Sequence, residues 1–384
     1  MAAPRTRKPK VERLRRFAAR VLWLAAWATL PAVAAQPGNR YAPGTLLPDV
    51  SIVFEASDAG QRLILDGAWP TPCLPAQVQL RRQGQDLRVE ARSTRSLCAR
   101  FPMPFHFDLD IAAALGSPLE PGLYRVSFYA ANAATGPLEL REFRLLSIDQ
   151  QALEPETGFW WPERGGDAGV DAAQGSSLSL ERQGDTLAAG LLTYDGDGHA
   201  DWLFGSGPLQ GRSAALTLLG MRDGPSPFGG GGRAPKLSQQ ASLQLEFFGA
   251  ARALAWLGWY EQGDGGQPVL RLQALPFVRQ SLTGTTDASH WGGRWQLLRD
   301  GLPVQNLDFA APQRQDAEHF VLADPAGWLL TCRQAAARPA APPEDCALSQ
   351  SADGETVLLD SIGLESLGGR DRIGGRVRLQ RPAR

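Results

Sequence analysis

Beyond residue 49 this chain repeats one device: short runs of alternating apolar and polar residues, closed by turns rich in Gly, Asp or Pro. Val50 to Phe54, Val78 to Arg82, Leu87 to Ala91, Phe105 to Ile111, Tyr124 to Tyr129 and Leu138 to Leu146 all carry the period-two pattern of half-buried strands. Asp58-Ala59-Gly60, Gln83-Gly84-Gln85-Asp86 and Pro121-Gly122 supply turn chemistry between them. No amphipathic helical stripe of useful length intervenes. The pattern therefore predicts an all-β chain, beginning with an immunoglobulin-like sandwich of about seven strands over residues 46–148.

After the link Ser147 to Glu154 the same device continues over 155–384. Runs at Ser177 to Arg182, Thr186 to Tyr194, Asp201 to Gly205, Ala214 to Met221, Ala241 to Phe248, Ala253 to Tyr260 and Val269 to Phe277 follow one another through tight turns. Consecutive hairpins of this kind predict an antiparallel meander, closed as a barrel or folded as a second sandwich. Closure would remove the exposed edges on which sheets aggregate. Gly293 to Leu298, His319 to Leu322, Trp328 to Arg333 and Val357 to Leu359 either extend that sheet or form a further unit from about residue 289.

The cysteines and the first 34 residues point to one compartment. Arg5, Arg7, Lys8, Lys10, Arg13, Arg15, Arg16 and Arg20 precede an apolar run from Val21 to Leu30, then Pro31 and Ala32-Val33-Ala34. This order is that of a secretory signal peptide over residues 1–34, cleaved near Ala34. The run is short of the ~20 apolar residues of a spanning helix, so no stable membrane insertion is expected after cleavage. Export to the periplasm or beyond is oxidising, and Cys73, Cys98, Cys332 and Cys346 fall as two close pairs. Of three possible connectivities the economical one is Cys73 with Cys98 and Cys332 with Cys346. Eight of the 39 basic residues and one of the 40 acids lie in 1–34, so the remainder carries 31 against 39, a net charge of about −8. That balance argues against a nucleic-acid partner, which needs a basic surface.

Two stretches carry a family resemblance. Trp69-Pro70-Thr71-Pro72-Cys73-Leu74-Pro75, Cys98, Pro104-Phe105 and Pro121-Gly122-Leu123-Tyr124-Arg125-Val126 resemble a disulfide-bearing β-sandwich module of uncharacterised secreted bacterial proteins. Gly158-Phe159-Trp160-Trp161-Pro162-Glu163, Gln183-Gly184-Asp185 and Thr193-Tyr194-Asp195-Gly196-Asp197-Gly198 to Trp202 are similar to a tryptophan-rich all-β module of the same proteins. The resemblance implies a fold and an export route, and no activity.

Chemistry-bearing residues are sparse. Asp195, Asp197 and Asp201 could offer oxygen ligands to calcium, but Asp-Gly is also hairpin-turn chemistry, and the turn is the expected role. His106, His199, His290 and His319 each stand alone, with no metalloprotease helix and no nucleophile elbow. A relay of Ser289 or Ser206 with His290 and Asp287 would need neighbours in sequence to converge. No cofactor is implied. Eight of the nine tryptophans beyond residue 34 lie in the second region, where Trp160 and Trp161, on opposite faces of a strand, are the candidate ligand-binding pair. The expected function is a non-catalytic binding or envelope scaffold protein with a glycan or apolar small molecule as partner. The alternatives are a hydrolase of extracellular polymer and a purely structural module.

Overall fold

The computed structural model describes residues 50–382 apart from 96, 97, 100, 151, 164–174, 195–197, 226–227, 230–233, 264–267, 283–286, 335–341 and 351–353. The predicted signal peptide over 1–34 lies outside the described residues. The chain is all-β, as its periodicity requires.

Seven strands form the first sandwich: β1 (Val50–Ser57), β2 (Gly60–Trp69), β3 (Val78–Gln83), β4 (Asp86–Arg92), β5 (Met103–Asp110), β6 (Gly122–Ala131) and β7 (Glu139–Ile148). They divide into sheets β1-β2-β5 and β3-β4-β6-β7. The faces close on Leu63, Leu65, Trp69, Val89, Phe105, Val126 and Phe128. One pairing departs from hairpin logic: β4 runs parallel to β6, with Val89 beside Phe128. A five-residue helix, α1 (Ile111–Leu115), fills the corner between β5 and β6. Just beyond it the Tyr124 hydroxyl donates to the Glu120 carbonyl at 2.9 Å, the corner bond by which sandwiches of this type pin the start of a strand. Cys73 and Cys98 are disulfide-bonded, tying the link after β2 to the link before β5.

The meander closes into an eight-stranded barrel. Its strands are β8 (Gly158–Pro162), β9 (Ser177–Gln183), β10 (Thr186–Tyr194), β11 (Ala200–Gln210), β12 (Ser213–Arg222), β13 (Lys236–Gly249), β14 (Arg252–Gln262) and β15 (Pro268–Arg279). β8 makes the closure, pairing Trp161 with Val278 on one side and Trp160 with Leu178 on the other. Inward positions of successive strands are leucines and alanines, joined by Trp160, Phe247 and Phe277. Each fully buried leucine contributes about 2 kcal/mol by leaving water. A Cβ at Gly205 or Gly207 would collide with the backbone carbonyl of Thr217 or Ala215, so glycine lets β11 draw close to β12 at this bend.

The strands after residue 289 build a sheet of their own, of nine strands. In chain order these are β16 (Gly293–Arg299), β17 (Leu302–Phe309), β18 (Gln313–Arg314), β19 (His319–Ala323), β20 (Trp328–Arg333), β21 (Asp345–Gln350), β22 (Thr356–Ile362), β23 (Ser366–Arg370) and β24 (Arg376–Gln380). Spatially the order is β17-β16-β24-β23-β22-β21-β20-β19-β18. Asp300 and Gly301, at φ 49° and 80°, make the two-residue turn between β16 and β17. The concave core holds Trp291, Trp295, Phe320, Trp328 and the Cys332–Cys346 disulfide, whose cysteines face each other across β20 and β21.

Candidate functional site

The outer wall of the barrel has two unlike sectors. Over β13 to β15 and part of β12 it is covered by the sandwich, whose strand β7 docks on it. Leu123, Phe143 and Leu145 meet Leu270 there, with Trp256, Tyr260 and Leu272 alongside. Gln244 and Tyr260, buried or half-buried by this docking, find polar partners across the seam. Gln244 accepts from the Leu145 N–H at 2.6 Å and donates to the Phe143 carbonyl. Tyr260 donates to Glu142 at 2.7 Å.

Over β8 to β13 many outward positions are apolar and exposed. Phe159 and Trp161 stand on β8, Leu192 and Tyr194 on β10, Trp202 and Phe204 on β11, Leu219 and Met221 on β12, and Leu237 on β13. Their registers make one surface. Phe159 lies opposite Ser179, Ser179 opposite Gly190, Gly190 opposite Phe204, and Phe204 opposite Leu219. One pleat further along, Ser177 pairs with Leu192, and Leu192 with Trp202. Met221 pairs with Leu237, which a bulge in β13 turns outward. Ser179 on β9 and Gly190 on β10 thus floor a trough between Phe159 of β8 and Phe204 of β11, and Leu192 rises from β10 beside Trp202. The walls are three strand spacings apart, about 14 Å, and the two rings on each wall are about 7 Å apart along the strand. Trp202 is 55% exposed and Tyr194 54%. Together these side chains expose several hundred Å² of apolar surface, at or above the largest patch of an ordinary monomer.

Trp160 and Trp161 have opposite fates. Trp160 is fully buried inside the barrel, packed edge-on to Phe247 and donating its indole N–H to the Glu156 carbonyl at 3.1 Å. Trp161, the next residue, faces out and is 43% exposed. The apolar interior and the buried Gln244 and Glu246 on the outside invert the transmembrane pattern, in which the lumen is polar and the outside apolar all round. Among the described residues, no helix is long and apolar enough to cross a membrane.

The remaining candidates are scattered. Asp195 and Asp197 lie outside the described residues, and Asp201 uses its carboxylate to accept the Trp202 N–H at 2.9 Å. No group of three or more His, Cys, Asp or Glu side chains suited to a metal occurs among the described residues. Ser289 donates to Asp287, while His290 Nε2 meets the Leu364 carbonyl at 3.0 Å, so these three do not form a serine–histidine relay. His106 pairs with Asp66 and His319 with Asp316, both at the surface. Ser206 is exposed on the outside of β11.

Glu156 stands where the barrel rim meets the nine-stranded sheet. Its carboxylate accepts the Leu364 and Glu365 N–H groups at 2.9 and 2.8 Å, closing the turn between β22 and β23. Burial pushes its pKa up, outweighing those two bonds. The backbone adds Glu156 N–H to the Ala250 carbonyl at 2.8 Å and Ala251 N–H to the Ile362 carbonyl at 3.0 Å.

Sequence reasoning singled out Trp161 but not the other members of the exposed sector. The signal was present as broken alternation: Leu191-Leu192 in β10, Trp202-Leu203-Phe204 in β11 and Leu218-Leu219 in β12 place apolar residues on both faces of one strand. No protein-family model, curated protein or solved structure matches the chain.

Proposed function

We propose that this is an exported, non-catalytic binding protein whose recognition surface is the aromatic sector of the barrel, and that its ligand is a glycan chain. Export rests on the basic, apolar and small-residue order of residues 1–34. The two disulfides fit an extracellular or periplasmic location. The observation that carries the binding reading is the exposure of Phe159, Trp161, Tyr194, Trp202 and Phe204 on neighbouring outward positions, while the barrel interior is filled by its own side chains. Aromatic faces stack on the C–H faces of sugar rings, and the part-exposed Ser179 and exposed Ser206 offer hydroxyl partners beside them.

Electrophoresis through gels cast with neutral β-glucan tests this. The wild type should be retarded and the Trp202→Ala/Phe204→Ala variant should run as in a plain gel. Retardation that survives loss of both rings, or none in any polysaccharide, overturns the reading. Leu192, Leu219, Met221 and Leu237 beside the rings favour a second reading, an apolar ligand. Flotation with phosphatidylcholine vesicles in place of glucan retention would select it.

A further inference from the structure

The cleft between the barrel rim and the nine-stranded sheet, about 1020 Å³, gathers Arg182, Arg279, Arg294, Arg378 and Arg381 against Glu154, Glu156 and Glu365. The acids are largely committed. Glu154 lies between Arg182 and Arg378, at 3.3 and 3.4 Å, and Glu156 is turned to the two N–H groups of the β22–β23 turn. Arg279 donates to the Thr157 carbonyl at 2.6 Å, the Phe159 carbonyl at 3.3 Å and the Gln280 carbonyl, and the charge nearest to it is that of Glu156. Arg381 donates to the His290 and Gly292 carbonyls and lies 4.3 Å over the Trp295 ring. Arg294 is exposed at the wall, and its side chain makes no hydrogen bond or ion pair among the described residues. A hollow with five guanidinium groups against three carboxylates, on a chain at about −8 beyond residue 34, concentrates positive potential locally.

The cleft also adjoins the aromatic trough. The carbonyl that Arg279 grips belongs to Phe159, the first ring of the β8 wall. We infer that the cleft is an oxyanion subsite, binding the carboxylate or phosphate of an acidic glycan whose neutral faces lie along the trough. The glycan part of this inference rests on the proposed function. Guanidinium matches carboxylate and phosphate oxygens through paired N–H donors, and Arg294 is the donor set not already engaged.

Calorimetric titration of the intact protein with tetragalacturonate and with its fully methyl-esterified form separates the possibilities. The acid should bind at least about tenfold more tightly, with an affinity that falls as salt rises. Arg294→Ala and Arg294→Glu should remove that difference while leaving the ester's affinity unchanged; the exposed position spares the fold. Displacement of tetragalacturonate by glucose 1-phosphate would identify a site that reads charge on either group; failure to displace would assign it to carboxylate. Equal affinity for acid and ester overturns the subsite and leaves the glycan reading standing. Binding of neither overturns the subsite, and retention in the β-glucan gel then decides the glycan reading.

Discussion

Arg125 of the sandwich grips Glu246 of the barrel with two prongs, Nε to Oε2 at 3.1 Å and Nη2 to Oε1 at 2.9 Å. The Glu246 side chain is only 4% exposed, and Trp256 donates to the same Oε2 at 3.2 Å. Arg125→Ala should therefore cost about 3 kcal/mol, most of it the cost of an uncompensated buried carboxylate. Arg125→Met with Glu246→Leu should cost far less. Chemical denaturation of the three variants checks this; a double variant as unstable as Arg125→Ala would contradict it.

Adjacent tryptophans should respond oppositely to the same change. Trp160→Ala empties a fully buried position and should destabilise by about 3–5 kcal/mol. Trp161→Ala should leave the melting temperature nearly unchanged and weaken glucan retention. The prediction fails if Trp161→Ala melts as low as Trp160→Ala.

Glu156 gives the rim a pH dependence whose sign follows from its raised pKa. An acid that holds its proton more tightly in the folded chain favours folding below its ordinary value of 4.5. That contribution is lost as pH rises through the folded value. Glu156→Gln should thus flatten the loss of thermal stability between pH 4 and pH 7. Equal slopes for the two proteins would show that burial does not govern this carboxyl.

The two disulfides should yield to reductant in order of exposure. Cys332 and Cys346 are 1% and 3% exposed, whereas Cys73 and Cys98 are part-exposed in loops. Limited reduction followed by alkylation and peptide mass mapping should label Cys73 and Cys98 first. Removing the Cys332–Cys346 bridge should cost about 3 kcal/mol, the loop-closure value for a separation of 14 residues. Simultaneous labelling of all four cysteines would contradict the ordering.

The strand content was legible because burial on one face writes period two into sequence, as in Leu187, Ala189 and Leu191 of β10. β2 is harder to read: Leu63-Ile64-Leu65 breaks the alternation inside one strand. The parallel register of β4 on β6 carries no local mark at all, since it is set by packing across the sandwich. The same limit applies to the site. Trp161 faces out because Trp160 faces in, which alternation alone gives. That Trp202, Phe204 and Leu219 stand exposed beside it depends on the registers that join β8 to β12 and on how far the sandwich reaches around the barrel. The arginine cleft brings Arg182 together with Arg294 and Arg378 from two different sheets, and no sequence period joins them.

The most direct test of the account is to observe the exposed rings themselves. Protein labelled with 5-fluorotryptophan, its resonances assigned by single Trp→Phe variants, should be titrated with a neutral tetrasaccharide and followed by fluorine NMR. The account predicts shifts at Trp161 and Trp202, with Trp160, Trp291 and Trp295 unmoved. Saturable shifts centred on Trp256 or Trp328, or none at Trp161 and Trp202, would contradict it.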